Sequence, residues 1–237
     1  MCTVTYLPLE NNNFILTSNR DETPFRKTFF PKKYVENGIE MIYPKDEKAG
    51  GTWIGLSKKN RLVCLLNGGF KNHIKKKKYR MSRGVIVKEI LSVDKPVQFI
   101  ENFNFENIEP FTIVLLDWSV NLKVYELVWD GIIKHFKQLP NEPKIWSSST
   151  LYTNEMKELR NQWFTDWVEE NPEFYQQKII AFHTDDRKGT PEVSVKMKRP
   201  NIETVSVTSI QKRAKHIDII YRDLIMNRLL NLVFFFS

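Results

Sequence analysis

Met1-Cys2-Thr3-Val4-Thr5-Tyr6-Leu7-Pro8-Leu9-Glu10-Asn11-Asn12-Asn13-Phe14-Ile15-Leu16-Thr17-Ser18-Asn19-Arg20-Asp21-Glu22 reads as two strands joined by a polar turn. Residues 3–9 alternate loosely and carry β-branched side chains, residues 10–13 are turn chemistry, and residues 14–17 are a second apolar run. Antiparallel pairing across such a turn returns Asn19-Arg20-Asp21-Glu22 to the start of the first strand, where Cys2 stands. Pro24 closes the second strand.

Working outward, Thr52–Leu56 and Arg61–Leu66 form a further strand pair about the polar turn 57–60. The second member is almost continuously apolar, as a strand covered on both faces should be, and it ends at Asn67-Gly68-Gly69. Ser82 stands at the N-cap of a helix through Val85, Ile86, Ile90 and Leu91 that stops before Pro96. Strand runs follow at 111–116 and 122–129, and Asp130-Gly131 turns the chain into residues 132–136. Lys144-Ile145-Trp146 is a short strand ending in Ser147-Ser148-Ser149. Met156, Leu159, Trp163 and Trp167 share one helical face, and Pro172 starts a second helix with Phe174, Ile179 and Phe182 inward. Strands at 204–210 and 217–221 complete the chain. Grouped strands and grouped helices favour α+β over a doubly wound parallel sheet.

The 237 residues are 41% apolar and 13% aromatic, which excludes a disordered chain and suits one domain over 1–237 with an apolar tail from about 226. Nine glycines and two cysteines exclude a collagen-like chain and a disulfide scaffold. The net charge of +8 admits nucleic acid, anionic lipid or acidic ligands as partners. Lys71, Lys75-Lys76-Lys77-Lys78, Arg80 and Arg83 concentrate that charge and read as a solvated loop or helix lead-in. No aromatic-interleaved RNA motif or helix-turn-helix pattern accompanies them, so no specific nucleic-acid partner is expected. Residues 1–6 lack a signal-peptide pattern, and the apolar run 229–236 is far short of the roughly 20 residues that span a bilayer. A cytoplasmic protein with reduced thiols is the expectation, its apolar tail either docked on the core or left exposed.

Cys2 carries the most chemical information. Removal of Met1 makes its thiol the N-terminal side chain, with its own α-amine as an internal base. An α-amine pKa of about 7.7–8.0 leaves a useful neutral fraction at pH 7, whereas a free thiol near about 8.5 supplies little thiolate unaided. Arg20 is placed to stabilise a thiolate and Asp21 to fix the amine. Cys64 lies in an apolar strand and reads as a packed hydrophobe. His73, His135, His183 and His216 lack metal-ligand spacing, and neither glycine pair has a phosphate-loop pattern, so no metal or cofactor is expected.

With Cys2 ahead of it, Asn19-Arg20-Asp21-Glu22 resembles the signature of the NRDE family, also called the transport and Golgi organisation 2 family. That family is similar to Ntn hydrolases (N-terminal nucleophile enzymes) of the penicillin V acylase and bile salt hydrolase type. Gly50-Gly51-Thr52-Trp53-Ile54-Gly55 looks like the family's glycine-glycine-threonine-tryptophan segment, and Leu65-Leu66-Asn67-Gly68-Gly69 like its asparagine turn. Trp146-Ser147-Ser148-Ser149-Thr150-Leu151 falls where a serine-asparagine pair is usual. The similarity spans positions 2 to about 210.

The resemblance implies a four-layer αββα sandwich, two antiparallel sheets between helices. It implies Cys2 as nucleophile with its amine as base, Asp21 holding that amine, and Arg20 beside the thiolate. Asn67 and Ser148 would be the oxyanion contacts, and Asn19 and Trp53 the substrate contacts, although Trp53 by itself reads as core. Two departures stand out. Arg20 lies one residue before Asp21, where the acylases have it three before, a place on the same strand face. Ser148 replaces an asparagine, offering one hydroxyl proton for an amide NH2.

Two functions follow from the resemblance. One is an Ntn-type cysteine hydrolase or acyltransferase acting on a linear amide or related acyl compound. The other is a non-catalytic haem, acyl-lipid or acyl-coenzyme A carrier using the same cleft.

Overall fold

The computed structural model describes residues 3–235. In chain order it opens with β1 (Thr3–Leu9), β2 (Asn13–Glu22), β3 (Thr28–Glu36), β4 (Ile39–Asp46), β5 (Ile54–Ser57) and β6 (Arg61–Asn67). Helices α1 (Arg83–Ser92) and α2 (Pro96–Asn102) follow, then β7 (Phe111–Asp117), β8 (Lys123–Trp129), β9 (Lys134–Leu139) and β10 (Lys144–Ser147). Helices α3 (Asn154–Glu170) and α4 (Gln176–His183) precede β11 (Glu203–Arg213), β12 (His216–Asp223) and β13 (Arg228–Phe235). The chain is α+β, with its strands in two antiparallel sheets ordered β10-β1-β2-β11-β12-β13 and β3-β4-β5-β6-β7-β8-β9. Among the described residues, no helix is long and apolar enough to cross a membrane.

Each sheet belongs to its own compact unit. The first comprises Met1–Phe25, Glu142–Ser147 and Leu151–Ser237. Its β1–β2 hairpin turns on Asn11 and Asn12, both at positive φ, with the Asn13 amide donating to the Glu10 carbonyl at 3.2 Å. Three residues, Glu10 to Asn12, thus link Leu9 to its partner Asn13, and asparagine adopts the positive φ of this tight loop at low cost. The turn sets the register from Leu9 opposite Asn13 to Thr3 opposite Asn19. On its other side β2 pairs with β11, where a register shift between Thr204 and Ser206 makes a bulge facing Arg20 and Asp21.

Helices α3 and α4 pack on this sheet through Leu7, Ile15, Phe164, Trp167, Ile179, Phe182 and Val195. Burying each such side chain contributes about 1.5–3 kcal/mol. The inner face of α3 differs from the expected stripe: Leu159 is 43% exposed, while Arg160, Phe164 and Trp167 are buried. A buried arginine interrupts the apolar period, so the stripe read from the apolar residues alone is displaced by one position. Helix α4 starts at Gln176, after Pro172, with Ile179 and Phe182 inward as expected. The apolar C-terminal run is, over Arg228–Phe235, the edge strand β13 paired with β12.

The second unit comprises Arg26–Asn141 and Ser148–Thr150. Strand β6 is buried along all but its last residue, as its continuous apolarity predicts. Hairpin β3–β4, turning on Asn37 and Gly38 at positive φ, and the short helix α2 are additions to the sequence reading. Helix α1 enters against the glycine-glycine-threonine-tryptophan segment. A Cβ on Gly51 would lie 3.0 Å from the Gly84 Cα, and one on Gly84 would lie 2.9 Å from the Thr52 carbonyl oxygen. Buried Arg61 holds the other end of α1, donating from Nη1 to the Ile90 and Val93 carbonyls at 2.7 Å and from Nε to Asp117 at 3.0 Å.

Candidate active-site residues

Cys2 lies outside the described residues. Thr3, its neighbour in sequence, pairs with Asn19, and Asn19, Arg20 and Asp21 are all buried. A buried carboxylate is tolerated only when its oxygens are bonded. The Tyr152 hydroxyl donates to Asp21 Oδ2 at 3.0 Å and the Thr204 hydroxyl to Asp21 Oδ1 at 2.6 Å. The β11 register places Thr204 opposite Asp21. Alternation along β2 puts Asn19 and Asp21 on one face and Arg20 on the other. The Arg20 charge is felt at Tyr221, whose hydroxyl is nonetheless held above the usual phenol range, chiefly by burial.

Tyr152 links Asp21 to a second buried charge. The Arg160 guanidinium lies 3.8 Å from the Tyr152 ring centroid, and that of Arg199 lies 5.4 Å from it. Arg160 is fully buried. Its Nε donates to the Val193 carbonyl at 2.9 Å and its Nη2 to the Ser194 carbonyl at 2.6 Å. Its Nη1 donates to Thr3 Oγ1 at 2.6 Å. Among the described residues none of its acceptors is a carboxylate, so carbonyls, hydroxyls and one ring face satisfy the cation. The first residue of β1 is therefore clamped by the cation that stacks on the tyrosine holding Asp21.

Asn19 is fully committed elsewhere. Its Nδ2 donates to the carbonyls of His183 at 3.0 Å and Val195 at 2.9 Å. Its Oδ1 lies 2.7 Å from His183 Nδ1, and a carbonyl oxygen only accepts, so the imidazole proton sits on Nδ1. His183 Nε2 is then the acceptor for the Thr5 hydroxyl at 2.7 Å. Burial, with the nearby Arg160 charge, lowers the His183 pKa to about 3 and keeps the ring neutral. Both Nδ2 protons of the Asn19 carboxamide are thus used within the first unit.

In the second unit Asn67 ends β6. The carbonyls of Asn67, Gly68 and Gly69 each accept a hydroxyl: Ser148 at 2.6 Å, Thr112 at 3.1 Å, and Ser149. Gly68 has φ +86°, and a Cβ there would lie 3.0 Å from Thr150 Cγ2. The single proton of Ser148 is thus spent on the main chain of Asn67. Among the described residues nothing hydrogen-bonds the Asn67 carboxamide, whose NH2 is left available. Trp53, just before β5, is buried, its carbonyl accepting from the Leu65 amide at 2.7 Å.

Tyr152, Arg160, His183 and Thr204 were not singled out from the sequence. Arg160 alone left a trace, as a charge inside an amphipathic helix; the others acquire their roles from partners more than 130 residues away.

The family model described as transport and Golgi organisation 2 matches residues 1–221. No curated protein matches the chain. Among solved structures, two variants of the conjugated bile acid hydrolase from Clostridium perfringens are similar to it. One has a TM-score of 0.54 at 10% identity, covering 98% of this chain and 92% of that one. The other has a TM-score of 0.52 at 10% identity, covering 100% and 97%. The Caenorhabditis elegans orthologue of N-acylethanolamine-hydrolyzing acid amidase has a TM-score of 0.52 at 13% identity, covering 88% and 92%. At these identities the likeness shows the fold, which is that of the Ntn hydrolases.

Proposed function

Because the chain belongs to the transport and Golgi organisation 2 family over residues 1–221, we propose that it is an N-terminal-cysteine hydrolase or acyltransferase of linear amides or related acyl compounds. Removal of Met1 exposes the Cys2 amine, which takes the thiol proton as sulfur attacks the acyl carbon. The resulting ammonium returns that proton to the leaving nitrogen as the C–N bond breaks. Water, or an acceptor nucleophile, then releases the acyl group from the thioester.

The observation that carries this reading is the buried Asp21 carboxylate, fixed by Tyr152 and Thr204 two residues beyond the partner of Thr3. A carboxylate held rigidly there suits a hydrogen bond to the α-amine. Arg20 supplies positive charge for the thiolate or for an anionic substrate, and the Asn67 NH2 serves the oxyanion. One such donor is worth about 2.7–4 kcal/mol. Ser148 acts by fixing the Asn67 turn, since its proton is already used there. That same use of Ser148 favours the second reading, a haem or acyl-coenzyme A carrier that needs no second oxyanion donor.

Intact mass before and after mild thiol alkylation at pH 7, followed by turnover of a panel of N-acyl amides, separates the two. Loss of one methionine, rapid labelling at Cys2, and turnover abolished in Cys2→Ala are the expected results. A retained Met1, or turnover surviving in a folded Cys2→Ala protein, would overturn the hydrolase. Tight haem or acyl-coenzyme A binding without turnover would establish the carrier.

A further inference from the structure

The segment joining β6 to α1, residues 68–82, carries Lys71, Lys75, Lys76, Lys77, Lys78 and Arg80 and no acidic residue. Its two ends are tied down. His73 Nε2 lies 3.3 Å from Glu109, which also receives Arg83 at 3.0 Å, and the Arg80 amide donates to the Asn107 carbonyl at 2.8 Å. Between these ties every residue from Ile74 to Lys78 is exposed. Ile74 is 95% exposed, and among the described residues none of Lys75–Lys78 forms an ion pair. Phe70, half-exposed, meets the His135 ring edge-on at 4.8 Å. The root of the loop thus adjoins the β8–β9 hairpin, whose tip presents Ile132 and Ile133 at 84% and 58% exposure.

An isoleucine held in water directly before four lysines without ion-pair partners contributes nothing to the core. Lysines of a solvated loop need no such neighbour, and phosphate contacts of a nucleic-acid surface gain nothing from an aliphatic tip. A bilayer surface uses both features, since ammonium groups meet anionic headgroups while a short apolar side chain enters the interface beneath them. We infer that residues 70–78 form a membrane-surface docking loop for bilayers rich in anionic phospholipid, with Ile74 as the inserted side chain. This site is independent of the amide chemistry proposed above.

The test is sedimentation of the full chain with phosphatidylcholine vesicles and with mixed phosphatidylcholine–phosphatidylserine vesicles, at low and high salt. Binding is expected only to the mixed vesicles, and it should weaken as salt rises. Replacing Lys75–Lys78 by glutamine should lower the partition by about fivefold per lysine. Ile74→Asp should weaken it severalfold at every salt concentration. Both variants alter exposed side chains, so unchanged circular dichroism and melting will accompany the loss. Equal binding to both vesicle types would overturn the inference, as would an Ile74→Asp protein that binds like the parent. Binding to duplex DNA or single-stranded RNA with no vesicle binding would also overturn it, in favour of a nucleic-acid surface.

Discussion

Tyr152 serves Asp21 and Arg160 at once, donating its hydroxyl hydrogen to the carboxylate at 3.0 Å while its ring face lies 3.8 Å from the guanidinium. Tyr152→Phe separates the two roles, because it keeps the ring and deletes the donor. A hydrogen bond to a buried charge is worth about 1.5–3 kcal/mol, and the variant should lose about that much stability in urea. If Asp21 orders the Cys2 amine, the alkylation rate at Cys2 will fall as well. A stability loss with an unchanged labelling rate would confine Tyr152 to structure.

Arg160→Met should be among the most damaging substitutions in the chain. It removes a buried cation and strips donors from Thr3, Val193 and Ser194 together. Each buried acceptor left unsatisfied costs about 1–3 kcal/mol. Arg160→Lys will rescue little, since a point-like ammonium cannot reach carbonyls and a hydroxyl arrayed around a planar fork. Equilibrium unfolding of the two variants beside the parent provides the comparison.

His183 should make the fold sensitive to acid. Its folded pKa, lowered to about 3, lies below the unfolded value of about 6.5, so between these limits the unfolded chain binds the extra proton. Stability is then complete above about pH 6.5 and declines as pH falls toward about 3, by up to about 1.4 kcal/mol per unit. Urea midpoints across that range should show the slope in the parent. A folded His183→Gln protein should be less stable at neutral pH and should show a shallower slope.

Gly68→Ala tests the turn that presents Asn67. At φ +86° a side chain is strained, and its Cβ would press on Thr150 Cγ2 at 3.0 Å. A cost of about 1–3 kcal/mol is expected. Thr150→Ser removes the pressing methyl but not the backbone strain, so the double variant should recover only part of the lost melting temperature.

What could be read from the chain follows the range of the interactions involved. The β1–β2 hairpin was legible because Asn11 and Asn12 build its turn locally. Strand β6 was legible because burial on both faces leaves an unbroken apolar run. The β3–β4 hairpin was hidden although Asn37-Gly38 is a strong turn signal: Pro31, Lys32, Lys33 and Pro44 break the alternation of strands that lie at or near a sheet edge. Among the candidate residues, Asp21 in the first unit and Asn67 in the second are pointed to by resemblance. Tyr152, Thr204, Arg160 and His183 are not, because nothing near them in sequence announces a partner. The partners of the Asn19 carboxamide, His183 and Val195, are equally remote in sequence.

The second unit is inserted between β2 and β10 of the first, and this has a consequence during synthesis. The second unit is nearly contiguous in the chain and can fold as it leaves the ribosome. The N-terminal hairpin cannot finish: Asp21 waits for Thr204, 183 residues later, and Thr3 waits for Arg160, 157 residues later. At about 5–20 residues per second, the Asp21 wait lasts about 10–40 s. Through that interval β2 lacks its β11 neighbour, so one backbone edge of the hairpin stays unpaired until the last fifth of the chain has been made.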